Sequence, residues 1–192
     1  MGNLRSVQKA LEAASSADVR LVSSPEALSD AELVVLPGVG AFDHAVEELK
    51  NRGLFEPVAE AIKRGTPYLG LCLGLQLLFE SSEEGVRPGL GILEGRVVRF
   101  KEGLRIPHMG WNRVDFAEDA GMAWARSGYF YFVHSYFAEP ADASLTAGTT
   151  QYGARFTSVI RRGNILATQF HPEKSQDGGL GFLTSYLKEI QK

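Results

Sequence analysis

"YLGLCLGLQLLFE", residues 68–80, joins two periodicities that cannot belong to one element. Tyr68 to Leu71 form a short unbroken apolar run, the signature of a buried strand, whereas Leu73 to Phe79 continue with helical spacing. At the junction sits Cys72, the only cysteine of the chain, with Gly70 and Gly74 two residues away on either side. When a strand turns abruptly into a helix, the residue at the turn is held in a strained conformation, and the chain passing beside it must carry little or no side chain. Gly70 and Gly74 are those clearances. The start of a helix also offers unpaired N–H groups and positive potential, which favour a thiolate and can hold an oxyanion. Gln76 lies one turn on, between apolar Leu75 and Leu77, so a polar side chain shares the face of Cys72. Two readings of Cys72 stay open on this stretch alone: a nucleophile on an elbow, or a small buried hydrophobe, the usual role of a lone cysteine.

Outward from the elbow, the first half alternates short apolar runs with amphipathic patterns. Asn3 can cap a helix with an apolar face of Leu4, Val7, Leu11 and Ala14, and "DVRLV" then reads as a strand. "AELVVLPGVG" is a strand ending in a Pro and Gly turn, and "AFDHAVEELKNRG" and "LFEPVAEAIKRG" are helices closed by glycine. That rhythm predicts a parallel sheet covered by helices. The second half is different: "GRVVRF", "WNRVDF", "GYFYFVHSYF", "SLTAGTT", "ARFTSVIRRG" and "ILATQF" follow as strands, with a helix only at "GLGFLTSYLKEI". The prediction is an α/β protein with an open mixed, largely parallel sheet and helices on both faces. The aromatic run Tyr129, Phe130, Tyr131 and Phe132 reads as a buried strand.

Composition bounds the function. The 192 residues are 44% hydrophobic and 22% charged, which fits one domain with a sizeable core. The 20 basic and 23 acidic side chains leave a net charge of -3 with no basic block, so neither nucleic acid nor an anionic membrane is an expected partner. A single thiol forms no internal disulfide, and "MGNLRSVQKALEAAS" is too polar for a signal peptide or a membrane span. A cytoplasmic protein is expected.

A thiolate nucleophile needs a base, and the base needs a group to orient it. Four histidines are available. In "ILATQFHPEKS", Pro172 restricts His171 to extended backbone, and residues i and i+2 of an extended chain project to one side, which brings Glu173 to the imidazole. His44 reads as a helix-surface residue. His108 and His134 have no carboxylate two positions away, so His171 is the best base. No second cysteine and no helical His pair supports a metal site, and no cofactor is expected.

"VLPGVGAF", "PYLGLCLGLQLLFE" and "TQFHPEKS", in this order along the chain, together resemble the oxyanion loop, nucleophile elbow and His-x-Glu segment of the class I, triad-type glutamine amidotransferases, which have a flavodoxin-like fold. "GNLRSV", "PHMGWN" and "YFVHSY" resemble one branch of that family, the glutaminase subunits of imidazole glycerol phosphate synthases, which pair with a (β/α)₈ barrel cyclase in histidine biosynthesis. The resemblance covers essentially the whole chain and implies one glutamine amidotransferase domain over residues 1–192.

It further implies that Cys72 is the nucleophile, His171 the general base and acid, and Glu173 the orienter. Gln76, Ser135 and Tyr136 would hold glutamine, and backbone N–H groups around Gly38, Val39, Gly40 and Leu73 would form the oxyanion hole. Asn3, Trp111 and Lys174 would face the cyclase as heterodimer partner. Family members usually open with an apolar strand ahead of Gly-Asn-Leu, so the sheet is expected to lack its usual first strand. Three alternatives are a glutaminase subunit of another synthase such as pyridoxal phosphate synthase, a cysteine peptidase, and an inactive docking subunit.

Overall fold

The computed structural model describes residues 4–191. Five helices pack on both faces of one ten-stranded sheet. The first half supplies α1 (Leu4–Ala14), β1 (Val34–Gly38), α2 (Phe42–Asn51), α3 (Phe55–Lys63), β2 (Tyr68–Cys72) and the single-turn α4 (Leu73–Gln76). Then follow β3 (Ser81–Ser82), β4 (Gly95–Arg99), β5 (His108–Phe116), β6 (Gly128–His134), β7 (Tyr136–Pro140), β8 (Thr146–Tyr152), β9 (Ala154–Arg162), β10 (Ile165–Thr168) and α5 (Gln176–Ile190). The main path across the sheet is β1-β2-β10-β9-β7-β4-β3, with β5, β6 and β8 branching from it.

Parallel pairing is confined to β1–β2, β2–β10 and the short β3–β4. The sheet is open and mixed as expected, but its parallel share is smaller than "largely parallel". The cause is connection length: the tight links after β8 and β9 can only return a strand antiparallel, whereas β1 to β2 spans two helices. The parallel set β1, β2 and β10 carries the elbow and leads into His171.

Strand alternation divides the core into two layers. Tyr68 of β2 and Ile165 and Ala167 of β10 face a layer with Phe42, Val46, Val58 and Ile62 from α2 and α3. Leu69, Leu71 and Leu166 face the other side, against Val7 and Leu11 of α1 and Phe182, Leu183 and Leu187 of α5. All five residues of β2 are buried, as a strand covered on both faces must be. Replacing Leu69 or Leu71 by Ala there should cost roughly 2–5 kcal/mol.

Three expectations fail for stated reasons. "DVRLV" forms no strand, because a strand is made by pairing and β1 pairs on one side only, with β2, among the described residues. Instead Gln8 Nε2 donates to the Val19 carbonyl and ties this segment to α1. Leu4 is exposed rather than on the apolar face of α1, and the proposed cap Asn3 lies outside the described residues. The aromatic strand β6 is buried only at alternate residues. Phe130 and Phe132 are core, while Tyr129 is exposed and Tyr131 half-buried.

Candidate active site

The elbow forms where β2 meets α4. Cys72 is the last residue of β2 and has φ 52° and ψ −99°, a backbone conformation that L side chains rarely adopt. The two glycines are required by contact. A Cβ at Gly74 would lie 1.9 Å from the Leu36 carbonyl oxygen, and one at Gly70 would lie 2.7 Å from the Gly74 oxygen. The same oxygen accepts a 2.8 Å hydrogen bond from the buried Tyr68 hydroxyl, which braces the turn from below. α4 is only four residues long, so its favourable potential comes from the unpaired N–H groups of its first residues rather than from a long dipole.

The parallel register places Gly38 beside Cys72, and a Cβ on Gly38 would press to 2.8 Å of Leu73 Cβ. The loop Val39-Gly40 therefore leaves β1 next to Leu73. Val39 is exposed, and Gly40 has φ +113° with open space around it. All four positions expected to form an oxyanion hole meet at this one edge of the elbow.

β10 is parallel to β2 on its other side and delivers His171. His171 Nδ1 and Glu173 Oε1 are 2.8 Å apart, and both side chains are almost wholly buried. The contact is the expected one, but the geometry behind it is not. Pro172–Lys174 form a 3-10 turn rather than extended chain, and the turn swings Glu173 back beneath the ring. Ser175 locks this turn to β6: its hydroxyl donates to the His171 carbonyl at 2.7 Å and accepts from the Tyr131 N–H at 2.9 Å.

Burial alone would lower the His171 pKa, yet the neighbouring Cys72 sulfur and the Glu173 carboxylate outweigh it and push the value up to about 9. Nε2 nevertheless makes no well-formed hydrogen bond, and the Cys72 Sγ lies 4.0 Å from the Val133 carbonyl. Sulfur and imidazole are neighbours here with no formed bond between them; catalytic bonds commonly tighten when substrate arrives.

Gln76 is buried, and its Nε2 donates to the Tyr136 carbonyl at 2.9 Å and to Gln169 Oε1 at 3.1 Å. It approaches Cys72 through Gln169 rather than directly. Gln169, which sequence reasoning missed, donates its own Nε2 to Cys72 Sγ at 3.4 Å. A signal for it existed: a glutamine in the otherwise apolar "ILATQF", two residues before His171 and so on the same side of the chain. Ser135 and Tyr136 lie at the β6–β7 turn, with Tyr136 bordering the elbow through its carbonyl.

His108 and His134, passed over as bases, pair with one another. His108 Nδ1 and His134 Nε2 are 2.9 Å apart, and burial lowers their pKa values to about 4 and about 3. His44 is exposed on α2, as expected. Trp111 and Lys174 converge on Tyr131: the indole meets its ring at 6.3 Å between centroids, and Lys174 Nζ lies 5.9 Å from it. With Met109 and Tyr129 they form an exposed patch on the β5–β6 hairpin. Asn3, assigned to the same face, lies outside the described residues. Among the described residues no cluster of His, Cys, Asp or Glu could hold a metal ion, and no helix is long and apolar enough to cross a membrane.

A cysteine on a strand–helix elbow, backed by a buried His–Glu pair and edged by a glycine loop, defines a cysteine-nucleophile hydrolase on an α/β sheet. The chain belongs to the family "Glutamine amidotransferase class-I", whose model matches residues 4–181. It is 46% identical over 196 residues to "Imidazole glycerol phosphate synthase subunit HisH" of Trichodesmium erythraeum, covering 99% of this chain and 91% of that protein. It is 49% identical over 190 residues to the protein of the same name from Rhodopirellula baltica, covering 97% and 92%. In solved structures the fold recurs in a glutamine amidotransferase, with TM-score 0.75, 22% identity and coverage of 98% and 94%. It recurs also in the glutaminase domain of Trypanosoma brucei CTPS with bound acivicin, with TM-score 0.72, 17% identity and coverage of 100% and 89%.

Proposed function

We propose that this chain is the glutaminase subunit of an imidazole glycerol phosphate synthase, acting in the cytoplasm in histidine biosynthesis as one domain over residues 1–192. The observation that carries the chemistry is the left-handed Cys72 on its elbow with the His171–Glu173 pair at 2.8 Å on the adjacent strand. What selects the synthase is the name shared by relatives that are 46–49% identical across nearly the whole chain.

In this reading the Cys72 sulfur attacks the side-chain carboxamide carbon of glutamine as its proton passes to His171 Nε2. The oxyanion that forms is held by backbone N–H groups at Val39 and Leu73, with Gly38 and Gly40 shaping the loop. His171, oriented by Glu173, then protonates the departing amine. Ammonia leaves and a glutamyl thioester remains, which a water activated by His171 hydrolyses to glutamate. Gln76, Ser135 and Tyr136 line the place where glutamine is held.

A (β/α)₈ barrel cyclase is the proposed heterodimer partner and consumer of ammonia, since free ammonia is mostly protonated at neutral pH and then a poor nucleophile. The exposed patch of Trp111 and Lys174 supports the β5–β6 hairpin as the docking side. Mixing the protein with candidate synthases tests the reading. Cys72→Ala should abolish glutamine-dependent synthesis with the cyclase while synthesis from added ammonium at high pH persists. Retention of glutamine turnover by Cys72→Ala would refute the assignment.

A further inference from the structure

A run of buried and part-buried hydrogen bonds connects Asn112 on β5 to the nucleophile, and its direction is settled by groups that can only accept. The Tyr136 carbonyl accepts from His134 Nδ1 at 2.8 Å and from Gln76 Nε2 at 2.9 Å. On one side, an N–H at His134 Nδ1 leaves Nε2 of the neutral ring as a lone pair, so His108 Nδ1 must donate to it. His108 Nε2 is then an acceptor and takes its bond from Asn112 Nδ2 at 3.1 Å. The far end agrees, because Asn112 Nδ2 also faces the acceptor-only Gln151 carbonyl at 3.0 Å. On the other side, the Gln76 amide turned to Tyr136 must be nitrogen, so the Gln169 atom beside it must be oxygen. The remaining group of Gln169, 3.4 Å from Cys72 Sγ, is therefore an N–H donor.

We propose that Gln169 is a further catalytic residue, donating an amide N–H to the Cys72 thiolate, and that the neutral His108–His134 pair acts through the Tyr136 carbonyl and Gln76 as the positioning device for that donor. The inference rests on the reading of Cys72 as the glutaminase nucleophile. A sulfur accepts weakly as a thiol and strongly as a thiolate, so the bond strengthens as the thiol proton moves to His171 Nε2. The electron pair stays on sulfur, and the amide proton stays on Gln169. Gln169 is wholly buried and competes with no water for the contact.

The histidine pair suits a positioning role for a structural reason. Protonating His134 would turn its Nε2–H against the His108 Nδ1–H, and protonating His108 would turn its Nε2–H against the Asn112 amide. Either event breaks the run. The surroundings oppose both: His108 lies between the Phe132 and Tyr152 rings, with centroids 4.9 and 4.0 Å away, and His134 packs on Phe100 at 5.2 Å. Among the described residues, burial alone shifts His108, and the ionisable side chains that act on His134 are His108 and, from the loop after β10, His171. Burial and the absence of an acidic contact hold both rings neutral, and an uncharged, stacked pair is a stiff support for the carbonyl above it.

Because Cys72 is the only thiol, the pH dependence of its alkylation by iodoacetamide reads this donor directly on the full chain. Gln169→Glu keeps the volume and the acceptor for Gln76 but loses the N–H; Gln169→Leu loses both. In each, the alkylation midpoint should rise by about one pH unit, as expected for loss of a hydrogen bond to a charged group. Glutamine turnover with the partner subunit should fall about ten- to a hundredfold. His134→Phe should move the midpoint in the same direction by less. An unmoved midpoint in Gln169→Leu, which adds no charge beside the sulfur, overturns the catalytic role, and an unmoved midpoint in His134→Phe overturns the positioning role. The midpoint is read without turnover, so it is independent of the glutaminase reading, whose failure shows as activity in Cys72→Ala.

Discussion

Two buried histidine pairs flank the elbow and titrate in opposite directions. His171 meets Glu173 at 2.8 Å and is raised to about 9; His134 meets His108 at 2.9 Å, and the two are lowered to about 3 and about 4. Burial acts the same way on all of them, against the charged ring. What differs is the company. His171 has a carboxylate on one nitrogen and the Cys72 sulfur near the ring, whereas His134 has a second imidazole on one side and a backbone carbonyl on the other. One pair can hold and return a proton at neutral pH; the other can only keep its hydrogen bonds pointing one way. Burial sets the starting cost, and the nearest anion decides the protonation state.

The comparison breaks most visibly at the proton-transfer pair. His171→Ala should lower glutamine turnover with the partner by roughly 10²–10⁴, the range for loss of a general acid–base, as measured by steady-state kinetics. An equal loss in His134→Phe would erase the distinction between the two pairs. Glu173→Gln should lower turnover less than His171→Ala does, because Glu173 orients and charges the imidazole rather than reacting. It should also change the alkaline side of the stability profile. The folded His171 pKa is above its ordinary 6.5, so its contribution is complete below about pH 6.5 and is lost as pH rises through about 9. Denaturant titrations of Glu173→Gln should show a shallower decline across that window.

The smallest effect sharpens the other pair and has the opposite sign. The folded His134 pKa is below 6.5, so its contribution is present above that pH and is lost as pH falls toward about 3. His134→Phe should flatten the acid decline by up to about 1.4 kcal/mol per pH unit, the slope of one linked proton. An acid slope equal to that of the unaltered protein would mean the ring is not neutral in the folded state.

The catalytic face was legible in the chain to an uneven degree. Gly70-Leu71-Cys72-Leu73-Gly74 exposed its elbow because contacts with the passing backbone exclude a Cβ at those two glycines. His171 and Glu173 were legible by their spacing, although the turn at Pro172–Lys174 rather than extended chain joins them. Gln169 carried only the weak signal of a lone amide in an apolar strand; its meaning depends on Gln76, 93 positions away. The aromatic strand misled for a related reason: Tyr129 and Phe130 have similar apolar bulk, and only the facing of the sheet separates them.

By itself, then, the sequence determined what local sterics and spacing can determine: a thiol on a strand-to-helix elbow, a His-x-Glu segment at the end of a strand, glycine at the close approaches and an alternation of apolar runs that demands a covered sheet. Only the tertiary structure decided the rest. Whether "DVRLV" became a strand depended on a partner to pair with, because ladder bonds are made between segments and not within them. Whether His134 was acid, base or neither depended on His108, 26 residues away and directly opposite it in the β5–β6 register. Protonation follows the groups within a few ångströms, and in a folded chain most of those come from elsewhere in the sequence.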